Sequence, residues 1–242
     1  MKKVAVFVEG QAELILVREL LLKMYDYQNI GIDCYNLICD NLDEAPYKYG
    51  NMEANNYYMI VNVGNDNSVL SKIFTRANGL HEKGFTKIIG LRDVYGDLYK
   101  KKNGGLRNIN LELIEKIKNA AQNEIDAKDL SQYIKLYFAI MEVEAWFIGF
   151  NVFERIDATL SNDFIKSNLK YDLENDDPEI TYYHPAKIMG DIYGLIGSKY
   201  DKHESDVSSF VSCLGKEDFN NLIDSFKCST FTSFGNHPKL AY

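Results

Sequence analysis

Short apolar runs alternate with amphipathic stretches over residues 1–150. Lys3 to Val8 (KVAVFV) is nearly all apolar, as in a strand covered on both faces of a parallel sheet. Ala12 to Met24 follows with Leu14, Val17, Leu21 and Met24 at steps of three and four, which predicts a helix with one apolar stripe. Arg18, Glu19 and Lys23 fall off that stripe. Ile30 to Ile38 and Tyr57 to Val63 read as strands, with a polar loop over 40–56 between them. An Asp-Asn-Ser cluster then caps a predicted helix over 67–82, striped by Val69, Ile73, Ala77 and Leu80. Lys87 to Leu91 is the next strand, followed by a loop over 94–108 and a helix from about 110 to 125. Ile134 to Met141 is a further strand, and Glu142 to Phe150 turns helical.

Such alternation predicts an α/β fold: a Rossmann-like, mostly parallel sheet with helices on both faces. Beyond residue 151 the strand signal fades, and 184–197, 205–214 and 216–226 read as short helices. The expected organisation is an α/β domain over 1–150 and a small helical region over 151–242.

Composition adds few constraints. Hydrophobic residues make up 46% and charged residues 26%, enough for a sizeable core. The 17 Tyr and 13 Phe argue against widespread disorder. A net charge of −8 argues against a general basic coat for nucleic acid, but leaves room for a local basic strip or a metal ion that meets phosphate. Cys34, Cys39, Cys213 and Cys228 form no CxxC pair, so a structural zinc site has no support. No signal segment opens the chain and no apolar run reaches the roughly 18 residues of a membrane span, so a reduced cytoplasmic setting is expected. No GxxxxGK(S/T) motif occurs, so ATP hydrolysis by this chain alone is not expected.

The candidate chemistry lies at predicted strand ends, where open α/β sheets bind ligands. The first strand delivers Glu9, with Glu13 one helical turn on. The strand at 87–91 delivers Asp93, with Asp97 four residues later, and the strand at 134–141 delivers Glu142 and Glu144. Gathered carboxylates repel one another unless a divalent cation neutralises them. Mg²⁺ takes hard oxygen ligands, with water and substrate phosphate completing its sphere. Each acid taken alone also fits a solvated or helix-capping carboxylate. Lys100, Lys101, Lys102 and Arg107 in YKKKNGGLR (99–107) read either as a solvated loop or as a phosphate-gripping one. Gly10 permits a positive φ in a tight strand-to-helix turn. Trp146 reads as core, and His184-Pro185 and His237-Pro238 read as turns.

Three stretches, VEGQAE (8–13), LRDVYGD (91–97) and MEVEAWF (141–147), give the chain its resemblance to a Toprim domain, the metal-binding catalytic fold of topoisomerases, primases and the overcoming-lysogenization-defect nucleases. HPAKIM (184–189) and SFGNHP (233–238) extend it more weakly. Within that superfamily the chain most resembles a poorly characterised bacterial family often encoded beside an ATPase. The resemblance implies that Glu9, Glu13, Asp93, Glu142 and Glu144 are metal ligands. It also implies a catalytic lysine, for which Lys187 and Lys199 are both candidates. The sequence departs from the family's Asp-x-Asp pattern: Tyr95 stands two places after Asp93, and Asp97, the next acid, is the remaining candidate metal ligand, with Glu13 and Glu144, as a second ligand or water orienter.

Two readings follow. One is a Mg²⁺- or Mn²⁺-dependent nuclease acting on DNA or RNA, of the kind found in bacterial defence, or a related phosphoryl-transfer enzyme, a phosphatase or nucleotidyl transferase for small molecules, that shares the metal logic. The other is a non-catalytic module that binds nucleic acid, a nucleotide or an ATPase subunit.

Overall fold

The structure is a computed structural model and describes residues 1–64 and 68–236. Elements run in the order β1 (Lys2–Val8), α1 (Gln11–Met24), β2 (Ile30–Ile38), β3 (Asn41–Glu44), β4 (Asn56–Asn62), α2 (Val69–Glu82), β5 (Lys87–Asp93), α3 (Asp97–Lys102), α4 (Leu111–Asp126), β6 (Ile134–Ala139), α5 (Glu144–Phe150), α6 (Phe153–Ile156), α7 (Asn162–Leu169), α8 (Pro178–Thr181), α9 (Pro185–Gly194), α10 (Glu204–Ser212), α11 (Lys216–Asp224) and α12 (Ser229–Gly235). They form two compact units, one of residues 1–93 with 111–138, the other of 94–110 with 139–236. This division places 139–150 with the helical region, where the sequence pattern drew its line at 150. The reason is packing: α5 is buried nearly all round and lies against α8, α9 and α11.

The first unit is built on a six-stranded, mostly parallel sheet with helices around it, in the order β3-β2-β4-β1-β5-β6. β1 pairs in parallel with β4 and β5, and β2 pairs in parallel with β4. Central β1 reads as an unbroken apolar run because both its faces are covered. Ala5 and Phe7 pack into a cluster with Tyr57, Met59, Val61 and α2 residues Val69, Ile73 and Ala77. Val4, Val6 and Val8 point the other way and are equally buried. α1 packs on β1, β2 and β4 and is buried more widely than one stripe, through Leu14, Ile15, Leu16, Val17, Leu20, Leu21 and Leu22. Gly90 in β5 lets α2 come close, since a Cβ there would lie 2.9 Å from Ile73 Cδ1 and 2.5 Å from Leu136 Cδ1.

Two elements arise where a loop was expected. β3 is a short antiparallel edge strand inside 40–56, and α3 is a single helix inside 94–108. β3 returns through a two-residue turn with Cys39 and Asp40 both at positive φ, 48° and 66°. Lys72 and Arg76 of α2 hold the Asp40 carboxylate and so pin that turn. Ser68 stands at the N-cap of α2, and Asp66 and Asn67 of the expected capping cluster lie outside the described residues.

The second unit is helical around an aromatic core. Trp146 stacks on Phe234 with centroids 5.6 Å apart, Phe147 stacks on Phe210 at 5.0 Å, and all four are fully buried. Trp146 is therefore core, as its setting predicted. No helix among the described residues is long and apolar enough to cross a membrane.

Candidate functional site

In the first unit, β1 and β5 are parallel neighbours with Val8 opposite Leu91, so Glu9 and Asp93 emerge together at the carboxyl end of the sheet. The Asp93 backbone N–H donates to Glu9 Oε2 at 2.9 Å. Asp93 is buried and Glu9 half-buried.

Gly10 then turns the chain into α1. Its φ of −147° is extended, so the positive φ expected there is not what glycine supplies. Glycine supplies space instead: a Cβ would stand 3.2 Å from Glu13 Oε2. That oxygen accepts the Gly10 N–H at 3.0 Å, as in a capping box. Glu13 is thus buried and folded back on the helix start.

The same sheet end carries amides that the sequence pattern did not single out. Asn36 of β2 and Asn62 of β4 are register partners, and Asn62 Nδ2 donates to Asn36 Oδ1 at 3.0 Å and to Gln11 Oε1 at 3.4 Å. Their one sequence signal is a polar residue near the end of an otherwise apolar strand. Near the carboxyl ends of the adjacent parallel strands β2, β4, β1 and β5 the chain thus carries Asn36, Asn62, Glu9 just beyond β1, and Asp93. The carboxylates of Glu9 and Asp93 are hard oxygen donors, of the kind Mg²⁺ takes. Arg92, over the Phe138 ring at 5.8 Å, stands beside Asp93 in sequence.

In the second unit, Met141 holds a buried left-handed conformation, φ 61°, and its carbonyl accepts the Tyr95 N–H at 2.8 Å. Strain of this kind persists only where the surroundings enforce it. It redirects the chain so that Glu142 leads into α5 and Glu144 enters the core. Glu142 Oε2 accepts the Ala186 N–H at 3.1 Å at the start of α9. Glu144 is fully buried, and its Oε1 accepts the Tyr200 hydroxyl at 3.0 Å. Lys202 Nζ serves both acids, 2.9 Å from Glu142 Oε1 and 3.0 Å from Glu144 Oε2. Burial pushes the Glu144 carboxyl up, against the opposing pull of Lys202. Burial likewise pushes the Tyr200 hydroxyl up. Lys202 was not among the expected lysines.

The Asp97 side chain is 98% exposed, 3.9 Å from Lys100 Nζ. Lys187 pairs with Asp191 at 3.2 Å, and Lys199 is exposed. Lys101 and Lys102 are exposed on α3, and Arg107 is exposed beyond it. Lys100 turns over the Tyr95 ring at 4.4 Å. His237-Pro238 falls outside the described residues. Among the described residues, no three His, Cys, Asp or Glu side chains are gathered so as to hold a metal ion. In the first unit the fold ties Glu9 to the Asp93 backbone and Glu13 to the Gly10 N–H, and in the second unit it sets half-buried Glu142 and fully buried Glu144 on one lysine, Lys202.

Comparison with protein-family models, with curated proteins and with solved structures gives no match.

Proposed function

We propose that the carboxyl end of the first unit's sheet is the site of a divalent-cation-dependent phosphodiesterase of Toprim type, with nucleic acid as substrate. The observation that carries this reading is the tie between Glu9 and the Asp93 backbone at adjacent parallel strand ends. It fixes two carboxylate-bearing residues where α/β sheets bind ligands. Glu9 and Asp93 would hold Mg²⁺ or Mn²⁺, which needs only one or two carboxylates when water and phosphate complete its sphere. When bound, such a cation acidifies a coordinated water and screens phosphate charge. Asn62 and Gln11 offer amide groups beside the carboxylates to orient water or a phosphate oxygen. Glu13 contributes by fixing Gly10 and so the position of Glu9.

A second reading, a nucleic-acid-binding module without catalysis, draws support from exposed Asp97 and from a Glu142–Glu144 pair already met by Lys202. Incubation with plasmid and with single-stranded DNA and RNA, in Mn²⁺ and in EDTA, separates the two. Products that need Mn²⁺ and vanish in Glu9→Gln support the enzyme. Metal-independent binding without products supports the module.

A further inference from the structure

Tyr95 stands where the resemblance leads one to expect a second aspartate, and the second unit gives it aromatic partners in place of a metal. Its ring meets Tyr183 edge to face with centroids 5.6 Å apart and an interplanar angle of 89°. It meets His184 at 4.9 Å and 88°, and Tyr183 and His184 meet each other at 4.4 Å.

Packing alone does not account for this cluster. The unit's own aromatic core, Trp146, Phe147, Phe210, Phe231 and Phe234, has no exposed surface. Tyr95, Tyr183 and His184 are half-buried and keep part of their surface in solvent. Cations rim them. Lys100 Nζ lies 4.4 Å over the Tyr95 ring, Lys187 stands three residues after His184 on α9 and pairs with Asp191, and Arg107 is exposed and near enough to act electrostatically on Tyr183 and His184. Glu142, which shares Lys202 with Glu144, also acts on His184 and opposes these cations. Half-exposed rings ringed by cations are what a ligand with flat π faces and an anionic backbone requires. The faces of paired bases are hidden in the duplex stack, so only splayed-out bases can use such rings.

We propose that Tyr95, Tyr183 and His184 form a base-stacking platform for an unpaired nucleic-acid strand, gripped at its phosphates by Lys100, Arg107 and Lys187. This deepens the phosphodiesterase reading by naming the strand that the enzyme takes, and rests on that reading for the strand's fate.

The test is fluorescence anisotropy in EDTA, where no cleavage occurs, so loss of the phosphodiesterase reading leaves it intact. Probes are a single-stranded DNA of about 16 nucleotides, its RNA counterpart and the DNA duplex. The wild type is expected to bind at least one single strand about tenfold or more tighter than the duplex. Tyr95→Leu and Tyr183→Leu should each weaken that binding about five- to 150-fold, the range of one lost stacked base. Equal affinity for duplex and single strands, or folded variants that bind as the wild type does, would overturn the proposal. If the variants unfold, an oligonucleotide carrying 2-aminopurine tests the wild type alone: stacking quenches its emission on binding, and unchanged emission in the complex rejects the platform.

Discussion

Lys202 Nζ lies 3.0 Å from Glu144 Oε2, on a carboxylate with no exposed surface. A buried carboxylate is costly unless a partner meets it, and removing the partner leaves that cost behind. Lys202→Met is therefore expected to lower unfolding stability by about 2 kcal/mol. Lys187→Met and Lys199→Met touch no buried acid and should change stability by less than about 0.5 kcal/mol. Urea denaturation of the three variants checks this. Equal stability of all three would remove Lys202 from its assigned role.

Glu13 is buried and accepts the Gly10 N–H, so its first task is to start α1. Glu13→Ala should cost about 1 kcal/mol, as for loss of a cap. Glu13→Gln keeps an acceptor and should recover most of that loss. If Glu13 also held the cation directly, Glu13→Gln would be as inactive as Glu9→Gln. We expect it to retain most activity, measured as the rate of oligonucleotide cleavage.

Glu179 is buried, and its carboxylate accepts from Trp146 Nε1 at 2.8 Å, from the Thr230 N–H at 3.1 Å and from the Thr230 and Ser229 hydroxyls. Burial still raises its pKa above the ordinary 4.5, with the Thr230 and Trp146 bonds pulling the other way. The folded state therefore keeps a proton that the unfolded chain has lost. The stability this contributes is complete below pH 4.5 and fades as pH rises through the folded pKa. Glu179→Gln carries no such proton. The stability of this variant relative to the wild type should rise as pH is raised from 4.5, read by chemical denaturation at several pH values. A difference that stays constant with pH would contradict a raised Glu179.

The strands announced themselves because burial on both faces leaves an apolar run that only a covered strand explains. β3 did not, because NLDE is exposed at all four positions and depends on the β2 ladder and on Asp40 being held by α2. Glu9 and Asp93 were visible as acids at the ends of apolar runs. Glu13 was read on the same side as Glu9, and only the backbone conformation of Gly10 shows it folding back. Lys202 and its acid Glu142 are 60 residues apart, and no local pattern marks the lysine. Tyr95 looked like a missing aspartate, because its partners Tyr183 and His184 come from a distant part of the chain.

The central claim is that Glu9 and Asp93 together bind a divalent cation, and Mn²⁺ titration followed by electron paramagnetic resonance tests it most directly. Glu9→Gln keeps an acceptor for the Asp93 N–H, so it removes charge with little change in packing. The wild type should hold Mn²⁺ in a saturable site, and Glu9→Gln and Asp93→Asn should each weaken it about tenfold or more, the effect of about 1.4 kcal/mol. A wild type without saturable Mn²⁺ binding, or folded variants that bind Mn²⁺ as tightly as the wild type, would contradict the account.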